Sequence, residues 1–135
     1  MAVLVLTDAV ITVNSVALSD HSNSVTVTYE IDSVESTAFG STGHKFVGGL
    51  QNNTLDIEFM QDFAASNVEA TIFPLVGTST TVTVKPTSAA TGATNPIYTL
   101  TGCFLASHTP VGSAIGEMAM TSLSFTGGVL TKAIV

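Results

Sequence analysis

Three histidines, ten acids and one cysteine are the side chains of this 135-residue chain with the chemistry for acid–base, metal or nucleophilic work. His21, His44 and His108 are never four residues apart, so no helical ligand pair exists, although distant residues can converge in space. Each lies among small polar residues in an expected loop, where a solvated or interfacial ring is the plainer reading. Asp56 and Glu58 point the same way from one strand and resemble a paired-carboxylate site. Alternation alone puts them there, and a solvated strand face explains both. Cys103 reads as a small apolar packing residue, and a single cysteine forms neither an intramolecular disulfide nor a multi-cysteine metal site. The stretch GSAIG at 112–116 lacks the central serine of a nucleophile elbow. Asn52-Asn53-Thr54 is a formal glycosylation sequon, without weight in the absence of a secretory leader. No catalytic residue, metal site or cofactor is expected, and the chain is not read as an enzyme.

The densest polar stretch is FGSTGHKFVGGL, residues 39–50. A phosphate-binding loop needs a lysine directly after the last glycine of G-x-x-x-x-G-K-[ST], followed by a helix. Here His44 follows Gly43, Gly49 and Leu50 follow Gly48, and a strand comes next, so the motif fails on spacing and context. The glycines bend the backbone, and Phe39, Phe46 and Val47 offer apolar anchors. The expectation is a docking loop for another protein. Lys45 is available to an acid on that partner, or to solvent.

The elements that position these residues are mostly strands. Alternation marks 9–13, 16–18, 24–31, 54–60, 80–85, 97–105 and 117–126, rich in Val, Ile, Thr and aromatics. Val25, Val27, Tyr29 and Ile31 share one face of their strand, opposite Thr26, Thr28 and Glu30. Asn14-Ser15 is a turn or bulge. One segment has helical spacing: SNVE at 66–69 reads as a capping box, Val68 and Ile72 recur, Pro74 shortens the end and Gly77 stops it. A helix over about 66–76 is expected against a sheet. Residues 33–50 form a long Gly-rich loop, of the kind more often functional than idle. Residues 1–7 and 127–135 read as apolar terminal arms, the second leaving the domain after a Gly-Gly hinge.

The chain is most simply one domain, 1–135, with a single core. Hydrophobic residues make up 45 % and charged residues only 10 %, against about 25 % charged in an average domain. Mean hydropathy is +0.50. So few charges cannot coat a solitary particle, which implies that partner subunits cover much of the surface. Three lysines, no arginine and ten acids give a net charge of −7, so there is no basic patch to grip nucleic acid. No run of about 18 apolar residues spans a membrane. The apolar start, MAVLVLT, lacks the basic flank of a leader, so synthesis in a cytoplasm is expected.

The segment VESTAFGSTGHKFVGGLQNNTLDIEFMQDFAASNVEATIFPLVG, residues 34–77, resembles the centre of the tail tube (major tail) proteins of long-tailed phages. The shared order is a Thr-Ala-Phe-Gly loop, a Gly-Gly bend, an acidic strand, an Asp-Phe-Ala-Ala turn and a helix ending Pro-Leu-x-Gly. Looser likeness covers about 8–125, including LSDHSNSV (18–25) and KPTSAATGATNPIYTL (85–100).

The resemblance implies a mainly β chain, a β-sandwich or barrel of two packed sheets with one flanking helix. It also implies self-assembly into stacked, hexameric rings that conduct DNA, with tape-measure and tail-terminator proteins as partners and the virion as location. On that reading Phe39, Gly40, Gly43, Lys45, Phe46, Val47, Gly48 and Gly49 form the inter-subunit loop. Glu30, Asp56 and Glu58 are lumen candidates, or face outward or a neighbour. Val3, Leu4, Val129 and Leu130 are arm contacts. The rivals are a capsid decoration, head–tail connector or tail-terminator protein, and a monomeric β-sandwich binding module. The module is disfavoured because Trp is absent and both tyrosines are placed in strands.

Overall fold

The structure is a computed structural model that describes residues 3–135. Its elements are β1 (Val10–Val13), β2 (Val16–Ala17), β3 (Ser22–Thr28), β4 (Ile31–Glu35), β5 (Phe46–Gln51), β6 (Thr54–Met60), α1 (Val68–Ile72), β7 (Ser79–Lys85), β8 (Ile97–Leu105), β9 (Met120–Thr126) and β10 (Val129–Ala133). Pairing is antiparallel throughout, in the order β2-β1-β7-β8-β9-β6-β3, with β10 added to β8 and β4-β5 standing apart.

β8 and β9 share only the pairs Phe104–Thr126 and Leu105–Phe125. This narrow join divides the strands into one layer of β2-β1-β7-β8-β10 and another of β9-β6-β3. Period-two alternation buries one face of each layer. Ile11, Val13, Val82, Val84, Leu100 and Cys103 of the first meet Leu55, Ile57, Phe59, Leu123 and Phe125 of the second in one core. The expected two packed sheets and flanking helix are present.

α1 places Val68 and Ile72 in that core, and the chain tightens into a 3-10 turn, Phe73–Leu75, around Pro74. The expected capping box does not form. Ser66 adopts φ +66°, which turns the chain one residue early and leaves Asn67 as N-cap without a side-chain cap bond. Glu69 is drawn instead to His108 and Gln61. Asn14 and Ser15, at φ +48° and +69°, form the two-residue β1-β2 turn. Both left-handed residues suit the right-handed strand twist.

Three boundary expectations are corrected. Residues 33–50 are not loop throughout, because β4 and β5 pair as a hairpin with Val34 opposite Val47 and Glu35 opposite Phe46, and only 36–45 between them are loop. Gly48 and Gly49 lie at its irregularity, where a Cβ on Gly49 would come within 3.0 Å of Val34 Cγ2. The strand expected over 24–31 ends at Thr28, so Glu30 and Tyr29 occupy the turn into β4 rather than a strand face. The C-terminal segment does not leave the domain. Gly127 and Gly128, at φ +76° and +82°, redirect it onto β8, where Leu130 packs on the chain's own core.

Candidate assembly surfaces

The hairpin is the most exposed element. Every residue of β4, and every residue of β5 except Gln51, is exposed on both faces of the ribbon. At its tip the Ser36 amide donates to Lys45 O (2.8 Å) and the Lys45 amide to Thr37 Oγ1 (2.9 Å). Thr37 Oγ1 donates to Glu35 Oε2 (2.9 Å), which also meets His44 Nδ1 at 2.6 Å. The His44 bond, then that from Thr37, holds the Glu35 carboxyl below its ordinary pKa. These bonds order a tip that presents Phe39 fully to solvent, with Phe46, Val47, Val34 and Leu50 exposed along the ribbon. A two-stranded ribbon without a core of its own is marginal in water, so this one needs a covering surface. Gly40 bends the tip at φ +91°, and Gly43 has open space around it.

A second surface is polar. Asp56 and Glu58 stand exposed on β6, between Thr26 and Ser24 of β3 on one side and Ser124 and Ser122 of β9 on the other. Ser122 Oγ donates to Glu58 Oε1 at 3.1 Å. None of the three strands carries a lysine or arginine. The result is a sheet face of hydroxyls and carboxylates. Glu30 is exposed but separate, its amide donating to Asn53 Oδ1 at 3.1 Å.

The termini differ from each other. Met1 and Ala2 of the expected N-terminal arm lie outside the described residues. Val3, Leu4, Val5 and Leu6 are exposed and precede β1, and Asp8 Oδ2 accepts from Ser88 Oγ at 2.7 Å. At the other end Val129 is exposed. Leu130, Val27, Tyr29, Tyr98 and Lys132 line an apolar groove between β3 and the β8-β10 pair.

Of the three histidines expected to be solvated or interfacial, His44 is exposed, whereas His21 and His108 are held in the body. His108, its side chain 2 % exposed, sets Nε2 2.9 Å from Glu69 Oε2 and Nδ1 3.2 Å from Thr121 Oγ1. By connectivity this is a hydroxyl–imidazole–carboxylate relay. Thr121 is 1 % exposed, opposite Phe59 near the end of the β6-β9 ladder, so no substrate reaches its hydroxyl. The group is a strut. Gln61 completes it by donating to Glu69 Oε2 (3.0 Å) and Pro110 O (2.8 Å), which ties the 106–119 loop to α1. That loop leaves Val111, Ile115 and Met118 exposed.

His21 bridges Asp20 Oδ1 (2.8 Å, from Nδ1) and Asp62 Oδ2 (2.7 Å, from Nε2), so only the imidazolium donates to both. The Asp62 bond, then the Asp20 bond, raises its pKa above the ordinary 6.5. The Ala64 amide, then His21, lowers that of Asp62 below 3.8. A raised histidine stabilises fully below its unfolded pKa and loses that contribution as pH rises through the folded value. A lowered aspartate stabilises above its unfolded pKa and loses that as pH falls through the folded value. The melting midpoint is therefore expected to be higher at about pH 5.5 than at about pH 8.5. His21→Gln should remove the difference, as measured by calorimetry.

Among the described residues the ion pairs all involve histidine and none involves a lysine. No group of three metal-ligating side chains occurs there. Among the described residues no helix is long and apolar enough to cross a membrane.

No protein-family model matches the chain, and no curated protein matches it in sequence. Solved structures do. A chain of the sheath–tube complex of an extracellular contractile injection system (PVC, extended state) superposes with a TM-score of 0.71 at 11 % identity, covering 98 % of this chain and 93 % of that one. A chain of the anti-feeding prophage tube-terminating cap gives 0.71 at 10 % identity, over 100 % and 93 %. A chain from the tail of an empty gene transfer agent particle, refined helically with C6 symmetry, gives 0.62 at 13 % identity, over 82 % and 81 %. Two β layers, one short helix and a projecting hairpin are thus arranged here in the tail-tube fold.

Proposed function

We propose that the chain is a structural subunit of a viral tail tube, assembling with copies of itself into stacked rings around a DNA conduit. The observation that carries this is the β4-β5 hairpin, an apolar ribbon bare on both faces and attached to a tail-tube body. Continuing one subunit's sheet into the next removes open strand edges, and a closed ring removes them all. The C6 symmetry of the gene transfer agent tail supports six copies per ring. The role is structural and not enzymatic. The subunit is made in the host cytoplasm, resides in the virion, and meets tape-measure and terminator proteins.

Within this reading the hairpin residues Phe39, Phe46 and Val47 dock on the neighbouring copy, Lys45 meets one of its acids, and Val3, Leu4 and Val129 add contacts. The Asp56/Glu58 face lines the lumen. Cations on a conduit wall would pair with phosphate, release counterions and hold the DNA. Screening over about 8 Å confines the effect to charges on the wall itself. Tubes of Asp56→Lys/Glu58→Lys that still assemble should eject DNA more slowly, and more so at low salt. Ejection at the parental rate would remove the face from the lumen.

The likeness to a tube-terminating cap supports a second reading, a terminator that closes the tube with one ring. Negative-stain microscopy of the purified protein separates the two. The tube reading expects long hollow tubes, the terminator reading single rings, and a field of compact particles would contradict both.

A further inference from the structure

Asn53 is the polar side chain most completely enclosed in this fold, at 0 % exposure, and it sits where three segments converge. Its Oδ1 accepts from the Glu30 amide (3.1 Å), where the chain enters the hairpin. Its Nδ2 donates to Gln51 Oε1 (2.9 Å), where the chain leaves the hairpin, and to Gly128 O (3.2 Å), where β9 gives way to β10. The backbone repeats the linkage: the Gly127 amide donates to Asn53 O (3.0 Å) and the Asn52 amide to Glu30 O (2.7 Å). Gln51 Oε1 also accepts from the Leu130 amide at 3.0 Å. One carbonyl oxygen and both hydrogens of one amide are thus used, each on a different segment. With two acceptors on one side and a donor on the other, the amide has a single orientation.

We infer that Asn53 is the positioning residue of the hairpin, fixing the direction in which this ribbon leaves the body. Both faces of the ribbon are bare and it pairs with no strand of the body, so its alignment is set at its two ends, where the Asn52 amide on Glu30 O and the Leu130 amide on Gln51 Oε1 flank the Asn53 side chain. Its attachment is the pair of crossings at Glu30 and Gln51, and Asn53 bonds both. Because the same amide grips Gly128, the hairpin's direction is referenced to the join between the two layers. A buried, fully satisfied network of this kind selects one geometry, and loss of one member leaves the others unpaired. The inference rests on the tail-tube reading for its consequence, since a hairpin must point correctly to reach a neighbouring copy. The positioning itself is a property of the single subunit.

The test pairs two readouts on the full chain. Spin labels at Thr42→Cys on the tip and Thr81→Cys on β7 report the tip-to-body distance, measured with labelled copies diluted in unlabelled protein. The native Cys103 is buried and escapes labelling. Negative-stain microscopy reports assembly. The parent should give a narrow distance distribution. Asn53→Ala should broaden it and lose tubes, while the body still melts in one cooperative transition. A distribution as narrow as the parent's, or tubes at parental yield, would overturn the inference. Should Asn53→Ala fail to fold, Gln51→Ala removes one partner of the same amide and decides the question by the same criteria. A parent that forms no tubes would overturn the tail-tube reading alone, and the distance comparison would still decide the positioning role.

Discussion

Replacing Phe39 and Phe46 by alanine is expected to abolish assembly and leave the isolated subunit as stable as before. Both rings belong to the projecting hairpin, Phe39 fully exposed and Phe46 60 % exposed, and neither is part of the core. Truncating an exposed side chain with no intramolecular role shifts folding stability by about 0.5 kcal/mol or less. Truncating an aromatic anchor at an interface centre costs about 2 kcal/mol or more. Each such loss weakens one contact about thirtyfold, and every subunit of a closed ring makes the contact twice. Sedimentation and thermal melting, run side by side, check the two halves of the expectation. Assembly at the parental concentration would remove the hairpin from the interface. A large fall in melting midpoint would show that the rings pack within their own subunit.

Gly128→Ala is the substitution expected to damage the subunit itself most. At φ +82° its Cβ would lie 2.5 Å from Thr101 O, 2.9 Å from Cys103 N and 3.1 Å from Gly102 C. All three are backbone atoms of β8, where Gly102 at φ +75° marks a shift in pairing register with β7. None can move without disturbing the pairing of β8 with β7 or β10. Left-handed backbone costs a residue with a Cβ about 1–2 kcal/mol, and overpacking adds about 1–3 kcal/mol. A loss of about 3 kcal/mol follows, or about 10 °C in melting midpoint for a domain of this size. Gly127→Ala is the control. It has a similar φ of +76° but nothing within 4 Å of its added Cβ, so only the backbone strain of about 1 kcal/mol remains. Equal effects at the two positions would show that the close approach to β8 is not what Gly128 provides.

Where the sequence could be read and where it misled both follow from the range of the interactions involved. β6 and β9 alternate strictly because one face of each is buried against the other layer, and such alternation is visible residue by residue. The helix showed itself through Val68 and Ile72, but its cap did not. The fate of Glu69 is decided by His108, 39 residues away. The hairpin looked like a loop because a ribbon exposed on both faces has no reason to alternate, and because Gly48 and Gly49 mimic a bend. Nothing in its own residues marked 127–135 as a strand of the body, since its partner is β8, some thirty residues earlier. Asn53 is in sequence only the middle of a sequon, and in the fold it is the buried hub between Glu30, Gln51 and Gly128. His21 did carry a local hint, its neighbour Asp20, but Asp62 completes the clamp only in three dimensions.

The acid-rich, cation-poor composition and the bare apolar surface meet in one claim: the exterior of this subunit is completed by further copies of itself. The decisive measurement is sedimentation velocity of the purified chain over a wide concentration range. Closed rings or longer tubes are expected, with monomer only at the lowest concentrations. A single 13.8 kDa species at every concentration would contradict it.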